Sequence, residues 1–332
     1  MTVRDEISRE ISTDIGIGAI HCLLPEERLT VTDLPEMSGL RQHELDFVRG
    51  SGVRTVGVFE GRGAAELAAE AVRGLGLRTA DRPDLLILVS PRSPDVLLGS
   101  DVGQVQAEAG LPGTFAFAVD GLGCTGSSAA WALARDLLVA DPRRNSAVLA
   151  HASRPTGVDR VRYPVTVVGD GACAMTMVRG GRPVLLAHRM ESDGAFHDLF
   201  RVDYRSSPWY EWREECQSVD RYRFEFAMHS RERLVRLVDE TLGDAGIGKA
   251  DVAATVMQNV TAGAFDFYET LLGLPIHQVC RRGLAEHGHL GAMDVVLNLQ
   301  RLLAEGGLQQ GDHVLVLNNS PVAAWACTLW RI

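Results

Sequence analysis

Phe115-Ala-Phe-Ala-Val-Asp-Gly-Leu-Gly-Cys124-Thr-Gly-Ser-Ser-Ala-Ala130 decides the reading of this chain. An apolar run stops at glycines, a cysteine follows, and a helix of small residues starts at once. That layout sets the Cys124 thiol where a strand hands over to a helix N-terminus. Unpaired backbone N–H groups and the helix dipole favour thiolate over thiol there. The neighbouring glycines let a substrate approach the backbone closely. A thiolate held this way suits acyl-thioester chemistry. The competing reading is a buried cysteine that packs as a small hydrophobe.

Strand-like runs surround this turn at Asp84–Ser90, Phe115–Val119, Ser146–Ala150, Val165–Val168 and Cys173–Val178. Helical patterns at Ala64–Leu75 and Ser127–Val139 lie between them. After a break at Arg182-Pro183 the series restarts with strand-like Val184–Ala187, helical Arg231–Leu242 and strand-like Val252–Met257. His313–Leu317 and Ala323–Trp330 close it. The alternation predicts a layered α/β protein. Its matching order predicts a duplicated fold, with halves 1–180 and 181–332. Residues 192–230, carrying Phe196, Phe200, Trp209, Tyr210 and Trp212, read as an insertion that covers a pocket.

With 332 residues, 46% of them hydrophobic, the chain has enough apolar surface for one large core or two fused ones. No apolar segment reaches the length of a membrane span, and the charged Met1–Glu10 segment is unlike an export signal. Six cysteines at 22, 124, 173, 216, 280 and 327 form neither a CxxC pair nor a metal-ligand spacing. Reduced thiols, a cytoplasmic location and no metal are the expectation. A net charge of −10 argues against nucleic acid and anionic membranes as partners.

Several motifs together resemble ketoacyl-acyl-carrier-protein synthase III and its relatives in the thiolase superfamily. Phe117–Gly126 is similar to that family's nucleophile turn, and Val168-Gly169-Asp170-Gly171-Ala172 to its Gly-Asp-Gly-Ala strand-turn. Gly311-Asp312-His-Val-Leu-Val-Leu317 with Trp325 looks like the closing hairpin, and Arg54 is what remains of a Gly-Ile-x-x-Arg segment. The resemblance implies a duplicated five-layered α-β-α-β-α architecture with mixed central sheets. It also implies a homodimer, no permanently bound cofactor, and an acyl-carrier-protein phosphopantetheine or coenzyme A thioester as co-substrate.

The family's Cys-His-Asn triad carries over only in part. Its histidine position falls on Gln258, and its asparagine position falls on His289 within Glu286–Asp294. His289 is then the expected base, since imidazole titrates near neutrality, with His287 as the alternative. Asp294 either orients the base or simply opens the helix Val295–Leu303. Gln258 either donates to substrate or satisfies buried backbone. Simple acyl transfer needs fewer donors than decarboxylative condensation. The expectation is a synthase III-like acyltransferase of specialised metabolism, passing an acyl group from Cys124 to an oxygen, nitrogen or carrier-thiol acceptor. Carbon–carbon condensation with an altered donor pair, or a catalytically silent partner subunit, are the rivals.

Pro321 has no N–H, so Val322 N–H or Ser320 would have to join Cys124 N–H in holding a thioester oxygen. Arg162 matches the family's coenzyme A-gripping arginine, whereas its adenine-stacking Trp falls near Asp46. That favours a carrier-bound donor, and Arg201, Arg205, Arg213, Arg221 and Arg223 are candidates to dock the carrier. Their other reading is solvated surface paired with Glu211, Glu214 and Glu215. His151, His188, His197, His229, His277 and His313 show no partner pattern and read as surface or core, and Cys173 as packing.

Overall fold

The computed structural model describes residues 13–78, 81–96, 98–155, 160–202, 205, 208 and 214–332. Nine strands form its main sheet: β1 (Ile15–Leu23), β2 (Leu85–Val89), β3 (Phe115–Val119), β4 (Ser146–Ser153), β5 (Gly171–Arg179), β6 (Val184–Ser192), β7 (Val252–Met257), β8 (His313–Ser320) and β9 (Ala324–Arg331). Their spatial order is β7-β8-β9-β6-β1-β5-β4-β2-β3. Strands such as β2, Leu-Leu-Ile-Leu-Val, are apolar throughout because the sheet is covered on both faces.

The order is symmetric about the β1–β6 junction. Outward from it, β1-β5-β4-β2 and β6-β9-β8-β7 each run antiparallel, antiparallel, then parallel. The two mixed half-sheets run on into one another through the single pair Gly16↔Val184. A side chain at Gly16 would forbid this, since its Cβ would sit 2.1 Å from the Gly181 carbonyl oxygen. The sequence reading missed β1. Its glycines and a bulge between Ile17 and Ala19 weaken the strand signal. The expected strand Val165–Val168 shrinks to Thr166–Val167, paired with Val161–Arg162 in a ribbon.

Among the described residues eight α-helices flank these strands: α1 (Gln42–Gly50), α2 (Ala64–Gly74), α3 (Asp101–Glu108), α4 (Gly126–Ala140), α5 (Ala227–Ala245), α6 (Ala262–Leu272), α7 (Gln278–His287) and α8 (Asp294–Glu305). α4 and α8 occupy equivalent places in the two halves, and each follows a 3-10 turn, Gly123–Thr125 or Gly291–Met293. Trp131 on α4 meets Trp330 on β9 edge-on, 5.3 Å between ring centres, which ties the first half to the last strand. Within 192–230, Phe200–Arg201 pairs with Glu215–Cys216, and a π-helical turn at Arg221–Phe226 leads into α5. Trp209, Tyr210, Glu211, Trp212 and Arg213 lie outside the described residues.

Candidate active site

β3 ends at Val119 and the chain turns through Gly121 (φ +78°) and Gly123 (φ +51°) to deliver Cys124 just ahead of α4. Gly123 is needed twice over, because a Cβ there would lie 2.4 Å from Ser320 Oγ. Asn318 Nδ2 donates to the Cys124 carbonyl at 2.8 Å, and Ser127 Oγ donates to the Ala292 carbonyl at 2.6 Å. The end of β8, the start of α4 and the turn before α8 are thereby fastened together. Cys124 is buried at their meeting point.

His289 arrives on an extended residue pinned on both sides. Its N–H donates to Val167 O at 2.8 Å, and its carbonyl accepts from Gly169 N at 3.0 Å. Gly288 (φ +66°) permits this approach, since a Cβ there would lie 2.6 Å from Val167 O. A Cβ on Gly169 would lie 2.2 Å from the His287 carbonyl oxygen, so the Gly-Asp-Gly-Ala motif makes room for the histidine-bearing segment. His289 Nε2 stands 3.0 Å from Cys124 Sγ, and Nδ1 stands 2.5 Å from Asp294 Oδ2. Asp294, fully buried as the first residue of α8, also accepts from Asn259 N and Leu290 N, each at 2.8 Å. A carboxylate held by two backbone donors accepts the third bond, so Nδ1 carries its hydrogen and Nε2 faces the sulfur.

The electrostatics follow from this contact. Desolvation raises the Cys124 thiol pKa, but the neighbouring His289 outweighs it and the net shift is downward. Desolvation likewise opposes the imidazolium, yet Cys124 and then Asp294 hold the His289 pKa well above its ordinary range. Both shifts favour a thiolate–imidazolium pair, the reactive form of a cysteine nucleophile.

Other expected site residues sit elsewhere. Gln258 is buried, but its amide bonds the Asn319 side chain and backbone, at 2.8 Å to the Asn319 carbonyl, and does not line the cavity with Cys124. His287 closes α7 and meets Arg301 Nη2 at 2.7 Å. Desolvation, Arg301 and Arg28 push its pKa down to about 4. Its ring bonds Arg301 and is not part of the cavity wall around Cys124. Ser320 and Val322 do line the cavity, and Val322 N–H lies a long 3.5 Å from Ser320 Oγ. Arg162 is there too, but buried, with its Nε–Nη2 edge on Glu214 and its guanidinium 5.0 Å above the Phe200 ring. Arg92 grips the same Glu214. Asp46, at the lost adenine-stacking position, is a helix-surface residue bonded to Gln42.

The cavity over Cys124 measures about 400 Å³. Its wall includes Arg92, Arg154, His151 and Glu214, none of which the sequence reading placed at the site. Phe200, Arg201 and Val202 bring the 192–230 segment to the same wall.

Residues 242–332 match the description 3-oxoacyl-[acyl-carrier-protein (ACP)] synthase III C terminal. The chain is 28% identical over 276 residues to β-ketoacyl-[acyl-carrier-protein] synthase III of Erythrobacter litoralis, covering 81% of this chain and 83% of that protein. It is 27% identical to the synthase III of Jannaschia sp., covering 96% and 98%. The chain is similar to synthase III, and its fold is that of the solved synthase III structures. Among solved structures this synthase III-like chain superposes on ChlB3, described as an acyltransferase, with TM-score 0.80 and 24% identity over 96% of this chain and 98% of the other. The synthase III of Pseudomonas aeruginosa gives 0.77 and 20% over 96% and 98%, and OleA of Xanthomonas campestris gives 0.77 and 16% over 97% and 98%. Within that fold this chain departs from the expected Cys-His-Asn set: the residue in contact with the sulfur is His289, backed by Asp294.

Proposed function

We propose that this enzyme of acyl-thioester chemistry is a ping-pong acyltransferase working through Cys124, His289 and Asp294. The observation that carries the reading is the unbroken contact chain, Sγ to Nε2 at 3.0 Å and Nδ1 to carboxylate at 2.5 Å. In the first half-reaction the Cys124 thiolate attacks the carbonyl carbon of a carrier-bound or coenzyme A thioester. His289 gives its Nε2 proton to the departing thiolate, leaving acyl-Cys124 and a neutral imidazole. The loss of the sulfur's negative charge makes His289 a weaker base than at rest, while Asp294 still supports its charged form. It then takes the proton of an acceptor hydroxyl, amine or carrier thiol, whose heteroatom attacks the thioester. Expulsion of Cys124 restores the resting ion pair with every proton accounted for. Cys124 N–H with Val322 N–H or Ser320 Oγ is our choice for the oxyanion donors.

Transfer is favoured over decarboxylative condensation because the enolate of condensation calls for two donors. The amide at the family's histidine position, Gln258, is engaged with Asn319 instead. A carrier protein is the preferred donor partner, since the Arg162 edge is already occupied by Glu214. Intact-protein mass spectrometry with acyl thioesters tests the reading. A Cys124 adduct that is discharged by an added alcohol or amine supports it. Carbon dioxide release from a malonyl thioester, or no adduct at all, overturns it.

We further propose a homodimer with a second copy across β3. That strand is one of the two sheet edges among the described residues, and its Phe-Ala-Phe-Ala-Val run leaves Phe115 63% exposed. Bare apolar edges of this kind invite strand pairing.

A further inference from the structure

His151 lies on β4, buried to 4% exposure, and lines the same cavity as Cys124 and His289. Its Nδ1 stands 3.0 Å from the Val89 carbonyl oxygen. A carbonyl only accepts, so Nδ1 carries the hydrogen. Desolvation drives this ring's pKa down to about 4, against the raising effect of Val89 O, with His289 adding to the fall and Leu290 O opposing it. The ring is therefore neutral and Nε2 presents a bare lone pair. That nitrogen is buried and has no hydrogen-bond partner among the described residues. Buried polar atoms are nearly always satisfied, and one left open on a cavity wall calls for a ligand.

Two neighbours sharpen the point. Gly291 (φ +63°) stands over Nε2, and a Cβ there would approach it to 3.0 Å. The missing side chain is what keeps the nitrogen uncovered. Ser153 Oγ lies 3.9 Å from that same point and already donates its hydrogen to Gly169 O, so it too faces the space only as an acceptor. His151 Nε2 and Ser153 Oγ thus both face the space beside the nucleophile as acceptors.

We propose that His151 is a specificity-determining residue whose Nε2 receives a hydrogen bond from an O–H or N–H carried by the group handled at Cys124. The donor belongs either to the acyl chain or to a second polar group of the acceptor, and the chemistry at Nε2 is the same for both. The inference rests on the acyl-transfer reading of this site and deepens it, because it names a hydroxylated or amino-bearing substrate. A substrate without that donor leaves the nitrogen unpaired, a loss of about 10–100-fold in rate.

The test pairs probes that differ by one hydroxyl. Cys124 acylation is timed by mass spectrometry with 3-hydroxybutanoyl and butanoyl thioesters of N-acetylcysteamine. Discharge of the acetylated enzyme is timed with 1,3-propanediol and 1-propanol. In the native enzyme one hydroxylated probe should react about tenfold faster or more than its partner, and which pair responds identifies acyl chain or acceptor. His151→Phe should erase the ratio, and His151→Gln, which keeps an acceptor, should restore part of it. Ratios near one in both pairs, or a ratio that survives His151→Phe, would overturn the proposal. So would nitrogen-15 shifts of the His151 ring showing hydrogen on Nε2, a readout that needs no substrate and no variant. Failure of the butanoyl thioester to label Cys124 would instead strike the acyl-transfer reading alone, and the nitrogen spectrum would still decide the state of the ring.

Discussion

Asp294→Asn is the change whose consequences can be worked out furthest. The carboxylate is fully buried and accepts from His289 Nδ1, Asn259 N and Leu290 N. An asparagine of the same shape keeps one acceptor oxygen but turns an N–H₂ group toward one of three donors. At an effective dielectric of about 20, opposite charges about 4 Å apart are worth about 4 kcal/mol, or about three pH units. The imidazolium loses that amount. The sulfur, which lies on the far side of the ring, gains back a smaller repulsion, since Asp294 raises the Cys124 pKa less than His289 lowers it. The net effect is a less stable thiolate–imidazolium pair and a ring free to adopt the wrong tautomer. In serine-protease triads the same exchange lowers kcat about 10⁴-fold, chiefly through the tautomer. We expect a fall of about 10³–10⁴-fold in acyl transfer here. The assay is the pH dependence of Cys124 alkylation by iodoacetamide, read by mass spectrometry, alongside discharge of the acyl-enzyme. The native midpoint should lie well below the free-thiol value of about 8.5 and should move upward in the variant. An unmoved midpoint with transfer retained within tenfold would refute the relay.

Other substitutions separate parts of the site. His287→Asn should leave Cys124 acylation and discharge within a few-fold of native, since His287 bonds Arg301 rather than the thiol; a loss beyond a hundredfold in discharge would restore it as a base. Gly288→Ala places a Cβ 2.6 Å from Val167 O at φ +66°. This glycine-only positive-φ backbone alone costs about 1–3 kcal/mol for alanine, so a lowered melting temperature and at least tenfold slower acylation are expected by differential scanning fluorimetry and mass spectrometry. Phe115→Asp should shift the protein toward monomer in analytical ultracentrifugation, because it charges the bare edge strand. Acylation should follow a bell-shaped pH profile. The acid limb is protonation of the depressed Cys124 thiolate, and the alkaline limb is loss of the proton from His289, whose raised pKa keeps it charged through neutral pH.

Much of this could be read before any fold was known. The strand-turn-helix around Cys124 is local, so glycines, a cysteine and small residues in one run announce it. The same holds for the Gly-Asp-Gly-Ala turn, although its purpose was not legible there. Only the folded chain shows that Gly169 spares the His287 carbonyl. β1 escaped notice because two glycines blur the apolar alternation, and what makes them necessary is contact with Gly181 at Gly16 and with Thr176 at Gly18.

Local pattern in one chain thus marked every strand of the main sheet but β1, the helices α2, α4, α5 and α8, and a cysteine that heads a helix. The tertiary structure alone decided which groups meet it. His289 and His287 look alike in sequence, yet a positive φ at Gly288 sends one ring to the sulfur and the other to Arg301. Gln258 could have faced the thiol, but Asn319 from β8 claims its amide. His151 had no neighbour in sequence to mark it, and it became part of the site because β4 and the residue-291 turn leave its Nε2 open to the cavity. The physical reason is range: propensities and turn chemistry act over a few residues, whereas hydrogen-bond partners and charge neighbours are set by which distant segments the sheet brings together.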